Sequence, residues 1–397
     1  MADGSPYPNL RHLRLLDAVI RIGSLTRAAA EVNISQPAAT QAMSRLDDLY
    51  GEKLLVAGAT GLVPSTAGEI VQSRGNRAFW HLRNAMGRDG MRTDRLIRQV
   101  TISSLRAIAA FGEGGSFSGA ALRLGQTEPA VQRAARAIER AAGLAVFTPG
   151  RRQIGLTPEG LRLAEGAGLA LRELELAHDD LAESAGTFTG RLTIGSLPLI
   201  RASILPEVLV AFAAEYPGAR IEVLDGSYED MLRSLRNGRA DLIVGALRGA
   251  SGGVREVSLF TDRLSVIARV GHPLQGRATL AAAFGFPWVL ARKGTPNRAI
   301  FDRHAREFGV DLTPGYIESG SHIAVRGVLL NSDRLALLSP LQVAIEMKAG
   351  LLCDLGIDIA GSEREIGVTT LSAAQPTRMQ TAFLELLSRH CSPIGVR

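Results

Sequence analysis

Hydroxyl and amide side chains cluster on one stretch of the chain at a spacing that suits the reading of base edges. They are Ser35, Gln36, Thr40, Gln41 and Ser44, with Pro37 among them and Arg45 behind them. Ser35 is a good helix N-cap, and Pro37 falls in the first turn of the helix that it would open. The start of such a helix can offer these groups to a DNA major groove, which admits one α-helix. The pattern predicts that double-stranded DNA is a partner.

No set of residues typical of an enzyme accompanies them. The sequence contains no G-x-S-x-G, Walker loop or H-E-x-x-H, and no dinucleotide-binding G-x-G-x-x-G follows a strand. Its two cysteines, Cys353 and Cys391, form no C-x-x-C pair, which disfavours a disulfide framework and a structural zinc site. We therefore expect no enzyme activity, no catalytic residue, no metal and no cofactor.

Composition places the chain among ordinary globular proteins. Of its 397 residues, 46% are hydrophobic and 21% charged, and the net charge of +6 is spread along the chain. Sparse cysteine fits a reducing cytosol, and the polar N-terminus does not resemble a signal peptide. The longest uncharged apolar stretch, residues 278–291, is too short to span a bilayer. We expect a soluble cytoplasmic protein with no membrane partner.

The polar helix start belongs to a pattern that occurs twice, at an offset of 92 residues. The matched segments are Gly23-Ser24 with Gly115-Ser116, Ala28-Ala29 with Ala120-Ala121, Ser35-Gln36-Pro37-Ala38 with Thr127-Glu128-Pro129-Ala130, Gly51 with Gly143, Leu54-Leu55 with Val146-Phe147, and Ser65-x-x-Gly68 with Thr157-x-x-Gly160. No gap is needed to align them. Two copies are too few for a solenoid, so the repeat indicates a duplicated small domain.

Each copy predicts a helix-turn-helix followed by a two-stranded wing. In copy 1 we expect a first helix that ends near Gly23, then helices at 25–32 and 36–50, and a wing at 54–63. In copy 2 we expect helices near 105–111, 117–124 and 129–142, and a wing at 146–156. Gly51 and its counterpart Gly143 would end the two last helices.

Copy 2 carries a more cationic set of candidate DNA contacts. They are Thr127, Gln132, Arg133 and Arg136 near the helix start, and Arg151 and Arg152 in the wing. Residues 133–152 hold five basic and one acidic side chain, whereas residues 27–60 of copy 1 hold three and four. Glu128 would repel a nearby phosphate. Whether copy 2 reads bases or acts mainly as a dimer scaffold or phosphate clamp stays open.

These motifs resemble the winged helix-turn-helix of LysR-type transcriptional regulators. The shared pattern is a Gly-Ser-Phe, an Ala-Ala pair, Ser-Gln-Pro-Ala at the recognition helix, a Leu-Glu…Gly, a Leu-Phe-x-Arg wing and a Thr-x-x-Gly before a long linker helix. Copy 1 departs at Ala57 and copy 2 at Pro149, both at the wing arginine, and copy 2 departs again at Glu128. That family normally has one reader domain, so the tandem arrangement is atypical. The resemblance implies a sequence-specific DNA-binding regulator that responds to a small-molecule effector.

After Thr157, leucine and alanine recur at helical spacing to about residue 183, which predicts one long amphipathic helix. It could pack on its own domain. The resemblance instead favours a dimerisation helix, and hence a homodimer or tetramer. Residues 187–190 would follow it as a hinge.

From Arg191 onward, strands alternate with helices, which predicts parallel α/β units in two lobes. By the resemblance, these lobes form a sensor domain similar to a periplasmic binding protein. We assign residues 5–92 and 97–156 to the two winged helix-turn-helix domains, 157–186 to the linker and 190–397 to the effector-binding domain. Lobe I would comprise about 190–265 and 363–397, and lobe II about 270–360.

Ligands of open α/β lobes bind at the carboxyl ends of the strands. The candidate effector-binding residues there are Ser196, Leu197 and Pro198 in lobe I, and Lys293, Thr295 and Arg298 in lobe II. Hydroxyls, free amides and a cation would suit a carboxylate or a sugar. Ser196 and Thr295 could equally be simple helix caps, and the two cations could be solvated surface charges. A binding protein whose reader domains are vestigial is the other class of function that fits.

Overall fold

Each reader copy is a three-helix module with a short wing. A computed structural model describes residues 6–59, 61–87, 89–148, 154–250, 252–310 and 315–392. Copy 1 consists of α1 (Leu10–Ile22), α2 (Leu25–Glu31), α3 (Gln36–Tyr50), β1 (Leu55–Gly58), β2 (Gly61–Pro64) and α4 (Thr66–Met86). Side chains of Ser24, Ser35 and Ser65 cap three of these helices, and Gly23 and Gly51 end α1 and α3 in the left-handed region.

Copy 2 repeats this order after α5 (Gly90–Gln99), which follows α4 and packs on the recognition helix of copy 2. Its elements are α6 (Ile102–Gly114), α7 (Phe117–Leu124), α8 (Glu128–Ala142), β3 (Phe147–Thr148), β4 (Gly155–Leu156) and α9 (Pro158–Ser184). The recognition helices α3 and α8 thus begin and end at equivalent positions. The predicted starts at Gln36 and Phe117 and the end of the linker helix near 183 agree with these bounds.

The two modules are packed together around one hydrophobic core. Leu16 and Val71 of copy 1, Ile108 and Ile138 of copy 2, and Leu174 of α9 all belong to one cluster of buried side chains. Helix α4 packs along α9, and α9 also packs on α6. The long helices therefore form the centre of the reader half.

Lobe I of the sensor half is a five-stranded sheet with helices on it. Its elements are β5 (Arg191–Ser196), α10 (Pro198–Ala202), α11 (Ile204–Glu215), β6 (Arg220–Asp225), α12 (Tyr228–Arg236), β7 (Leu242–Ala246), β8 (Val254–Arg263), β14 (Glu363–Leu371) and α17 (Arg378–Cys391). The strand order is β6-β5-β7-β14-β8, with β5 parallel to β6 and β7, and β14 antiparallel to its neighbours. The chain returns to lobe I near Glu365, as the sequence predicts.

Lobe II is a second five-stranded sheet with its own core. Its elements are β9 (Ser265–Arg269), α13 (Leu280–Ala283), β10 (Trp288–Leu290), α14 (Pro296–Glu307), β11 (Ile317–Glu318), α15 (His322–Leu330), β12 (Leu335–Leu338), a 3₁₀ helix (Pro340–Val343), α16 (Ala344–Lys348) and β13 (Leu352–Asp354). The strand order is β11-β10-β12-β9-β13. Two lobes on two winged helix-turn-helix modules are the fold class that the sequence predicts. Among the described residues, no helix is both long and apolar enough to cross a membrane.

Candidate nucleic-acid interface and effector site

The start of α3 presents an uninterrupted polar face to solvent. Ser35, Gln36 and Pro37 are exposed, as are Thr40, Gln41, Ser44 and Arg45 one and two turns later. The Ser35 hydroxyl accepts the Ala38 amide proton, and the Thr40 hydroxyl donates to the Gln36 carbonyl at 3.2 Å. Ala39, Ala42, Met43 and Leu46 on the opposite face are buried. All seven residues of the predicted copy 1 interface therefore lie together on one accessible face.

The same three contacts fix each recognition helix against its wing and long helix. In copy 1 the Asp47 carboxylate accepts the Leu54 amide proton at 3.0 Å, and the Ser65 amide donates to the Leu54 carbonyl at 3.0 Å. The third contact is the close approach of Gly68 to the Leu54 carbonyl. It requires glycine, because a Cβ at this position would collide with the carbonyl oxygen. These contacts explain why an acidic residue and a hydroxyl-x-x-Gly occur at these places in the sequence.

Copy 2 reproduces these contacts through equivalent residues. Glu139 accepts the Val146 amide proton at 2.9 Å, and the Thr157 amide donates to the Val146 carbonyl at 2.9 Å. Gly160 approaches that carbonyl as Gly68 approaches its own. Although burial raises the pKa of Glu139, the Arg136 guanidinium and the Val146 and Phe147 amides hold it below its usual value. The carboxylate that fixes the module is therefore ionised at neutral pH.

The start of α8 is exposed but differs from that of α3. Thr127, Glu128, Gln132 and Arg133 face solvent, and the Thr127 side chain makes no capping hydrogen bond. Arg136 is half-buried: its guanidinium pairs with Glu139 at 2.7 Å and lies 4.6 Å from the centre of the Phe147 ring. The predicted wing contacts Arg151 and Arg152 lie outside the described residues.

In lobe I, the three predicted effector residues follow β5 but are largely engaged by the protein. The Ser196 side chain is fully buried, and its hydroxyl donates to the Leu224 carbonyl at 3.1 Å. The Leu197 side chain packs into a lobe I core cluster. Pro198 opens the short helix α10. To donate to a ligand, the Ser196 hydroxyl would first have to break this internal hydrogen bond.

In lobe II, the predicted residues divide between capping, an ion pair and solvent. Thr295 caps α14 and its hydroxyl donates to the Arg292 carbonyl at 2.8 Å. The buried Arg298 side chain pairs with Asp302 at 2.7 Å and with Glu318 at 2.8 Å. Lys293 is exposed. Within the part of the chain that the structure describes, Lys293 makes no ion pair, unlike Arg298.

A polar cluster between the lobes includes residues that the sequence did not single out as ligands. Helix α10 of lobe I packs on the 3₁₀ helix of lobe II, where the Gln342 side chain hydrogen-bonds the His322 ring. Burial, with Arg201, Arg326 and Arg364 nearby, lowers the pKa of His322 to about 4. Arg364 donates to Asp262 at 2.8 Å and to the Asn297 side chain at 2.7 Å. Arginines from both lobes therefore lie near a neutral imidazole, and each of them also pairs with a carboxylate of the chain, namely Asp225 for Arg201, Glu346 for Arg326 and Asp262 for Arg364.

Comparison with known proteins identifies the family to which these domains belong. The Bacterial regulatory helix-turn-helix protein, lysR family, matches twice, at residues 10–69 and 102–161, and the LysR substrate binding domain matches residues 185–392. The HTH-type transcriptional regulator GalR of Pseudomonas putida is 30% identical over 381 residues, covering 95% of this chain and 96% of that protein. This chain belongs to the LysR family of transcriptional regulators. It is a DNA-binding regulator with an effector-binding domain that responds to small molecules.

Other LysR-family relatives match less of the chain. The HTH-type transcriptional regulator PcaQ of Agrobacterium fabrum is 25% identical over 255 residues, covering 63% of this chain and 82% of that protein. Full-length OxyR from Pseudomonas aeruginosa shares the fold at a TM-score of 0.53 and 19% identity, covering 73% of this chain and 94% of that one. The match to GalR thus covers more of this chain than the matches to PcaQ and OxyR do.

Two cavities of this LysR-family chain lie away from the predicted effector residues. One of about 560 Å³ lies between the lobes, and Glu207, Leu341, Ile345, Lys348 and Arg389 contribute to its wall. One of about 320 Å³ lies where copy 2, α9 and lobe I meet, with Arg106, Arg172 and Arg239 in its wall. The polar cluster around His322 was not predicted from the sequence, because its members lie on segments that are far apart in the chain.

Proposed function

We propose that this regulator recognises its operator by base contacts from α3, while α8 acts mainly as a phosphate clamp. The observation that supports it is the contrast between two equivalent helix starts. Copy 1 presents neutral donors and acceptors at Gln36 and Thr40, whereas copy 2 presents Glu128 beside Arg133. Neutral amides and hydroxyls discriminate bases, while arginine on a phosphate adds affinity without discrimination.

The double variant Gln36→Ala/Thr40→Ala tests the reading role. We expect it to lose about 1–3 kcal/mol of discrimination per lost base contact and to relax the sequence preference at one half-site. Gln99→Ala, an exposed glutamine on α5, is the matched control. Gel-shift titrations on DNA upstream of the regulator's own gene give the affinities, and footprints give the positions. Unchanged footprints in the double variant would contradict the assignment.

Arg133→Ala tests the clamp. Losing one phosphate contact should lower the slope of log affinity against log salt by about 0.9 while leaving the preferred sequence unchanged. Arg98→Ala on α5 serves as the control because it is also exposed. An altered preference with an unchanged salt slope would make α8 a base reader. A chain that binds no DNA specifically would instead be a small-molecule binding protein with vestigial readers.

For the effector we propose a carboxylate rather than a sugar. Arg201, Arg326 and Arg364 lie around His322. A ligand carboxylate would replace Asp225, the largely exposed partner of Arg201, because guanidinium groups favour carboxylates through paired hydrogen bonds. Titration calorimetry with small mono- and dicarboxylates and with neutral sugars of similar size distinguishes the two classes. Binding of a carboxylate that weakens in Arg201→Gln supports the proposal, and binding of sugars alone contradicts it.

We also propose that the protein acts in the cytoplasm, where the chromosome is, and forms homo-oligomers through its sensor domain. Val210 on α11 and Ile323 on α15 are largely exposed apolar side chains, at 74% and 80%. An interface between two sensor domains that covered α11 would bury Val210. Sedimentation of Val210→Asp against the unmodified chain tests this surface, and an unchanged mass would contradict it.

A further inference from the structure

Helices α4 and α9 pack antiparallel, so that early residues of one meet late residues of the other. Arg74 in the first half of α4 pairs with Asp180 near the end of α9 at 2.6 Å. His81 lies 3.4 Å from Glu173 in the middle. A Cβ on Gly166 near the start of α9 would lie 2.7 Å from the Ala85 Cβ near the end of α4. The same two helices also follow equivalent wings in the two copies.

The contacts between these helices obey a local two-fold relation. His81 and Glu173 are separated by the repeat offset, 92 residues, so each touches its own counterpart and the pair lies on the pseudo-two-fold axis. Exchanging the copies converts the Arg74–Glu173 pair into a Gly166–His81 pair. Both occur: Arg74 donates to Glu173 at 2.8 Å, and a Cβ on Gly166 would lie 3.0 Å from the His81 carbonyl oxygen. One chain therefore contains an isologous interface of the kind that normally joins two subunits.

The side chains on the axis are complementary between the helices and not within either. Helix α4 supplies Arg74, Arg77 and His81, and α9 supplies Glu173 and Asp180, all of them buried or largely so. If α9 paired with a second α9 about this axis, two Glu173 carboxylates would meet. If α4 paired with a second α4, Arg74 would meet His81. Two apposed buried carboxylates, or a buried guanidinium that faces a histidine instead of a carboxylate, are both unfavourable, so the side chains favour the α4–α9 pair over either self-pair.

Much of the remaining surface of α9 is covered by the sensor half. Arg172 pairs with Asp241 at 2.9 Å and donates to the Arg191 carbonyl at 2.8 Å. A Cβ on Gly168 would collide with the Asn237 carbonyl. Glu183 accepts the Arg378 and Met379 amide protons at the start of α17. Between Gly166 and Glu183, a second chain could not pack on this side of α9 without displacing these contacts, whereas Leu161 and Arg162 near the start of α9 stay exposed.

We propose that a single chain is a complete two-site DNA-reading unit, which binds two unlike half-sites of one operator in cis. The proposal rests on the reading role assigned to α3 and the clamp role assigned to α8. Two-fold helix-turn-helix dimers bind half-sites about 34 Å apart, one turn of DNA, and we expect the same spacing for α3 and α8 of this chain. Because the two helix starts differ chemically, the operator has one base-read half and one half held mainly through its backbone.

The test is complementation between two defective full-length chains. The variant Gln36→Ala/Thr40→Ala loses the first half-site, and Arg133→Glu loses the second. Each is footprinted alone, and then an equimolar mixture that has been unfolded and refolded together is footprinted, on duplexes selected from random-sequence DNA with the unmodified chain. Thermal melts establish that both variants fold, since all three positions are exposed.

In cis reading, no chain in the mixture carries both intact readers, so the mixture gives no complex that protects both halves at the unmodified chain's affinity. Recovery of full protection in the mixture would mean that different chains read the two halves, which overturns the proposal but leaves the reading roles intact. If either variant alone still protects both halves like the unmodified chain, the reading roles fail, and the proposal fails with them.

Discussion

Gly68 and Gly160 stand at equivalent positions of the two copies, and each lets a long helix approach a backbone carbonyl. A Cβ at either position would overlap the carbonyl oxygen of Leu54 or Val146, and backbone cannot move aside as a side-chain tip can. The carbonyl in each case already accepts the amide proton of Ser65 or Thr157. The Ser/Thr-x-x-Gly spacing seen in the sequence is thus a packing requirement at the corner between wing and long helix.

At this residue scale, Gly160→Ala should destabilise the chain by about 1–3 kcal/mol, the usual cost of overpacking. Urea unfolding followed by circular dichroism measures it. Gly90→Ala is the control because it also lies in a first helical turn but has open space around its Cα. The control should be neutral or more stable by about 0.4–1 kcal/mol, because alanine narrows the unfolded ensemble. Equal effects at the two positions would contradict the close-approach argument.

His322 makes the second prediction at this scale. Its pKa of about 4 in the folded chain lies below the ordinary 6.5, because of burial and the surrounding arginines. The unfolded chain therefore takes up this proton first, and His322 lowers stability as pH falls from 6.5 towards 4. A bound carboxylate should raise the pKa. Histidine ring NMR titration, with His322→Gln to assign the signal, measures both values, and a carboxylate that leaves the midpoint unchanged would mean that the ligand sits elsewhere.

At the scale of elements, local sequence signals fixed the helices that begin at Ser35 and Thr127, because capping residues and glycines mark both ends. The same reasoning did not predict α4. Its buried face includes Arg74 and His81, so the apolar period that signals an amphipathic helix is broken where the ion cluster lies. The strands β8 and β9 were not predicted either, since the sequence of β8 mixes charged and apolar residues without a strict alternation. The sequence around a buried charge does not show which distant residue will pair with it in the folded chain.

Acid should weaken the α4–α9 pair. Burial raises the pKa of Glu173, but His81 and Arg74 lower it more, so the net shift is below the ordinary 4.5. A depressed carboxyl pKa contributes stability above about 4.5 that is lost as pH falls through the folded value. The stability gap between the unmodified chain and Glu173→Gln should therefore be largest at neutral pH and shrink in acid. Thermal melts from pH 3 to pH 7 measure it, and a gap that does not depend on pH would rule out an ionised Glu173.

At the scale of the whole molecule, the sensor half contacts the two winged helix-turn-helix modules through the arginines of α4 that also pair with Glu173 of α9. Arg74 donates to the Gln375 carbonyl at 3.1 Å and Arg77 to the Ala373 carbonyl at 2.6 Å. That segment follows β14, the strand that returns from lobe II. The sequence predicted two winged helix-turn-helix domains, a long helix and two lobes. It did not predict how the sensor half docks on the two modules, because contacts between residues hundreds of positions apart leave no local pattern.

The most direct measurement is hydroxyl-radical footprinting of the full chain on duplexes that it enriches from a random-sequence pool. We expect two protected patches centred about 34 Å apart, one of which disappears in Gln36→Ala/Thr40→Ala. A pool that shows no enrichment, or a footprint that the double variant leaves untouched, would contradict DNA reading by the exposed start of α3.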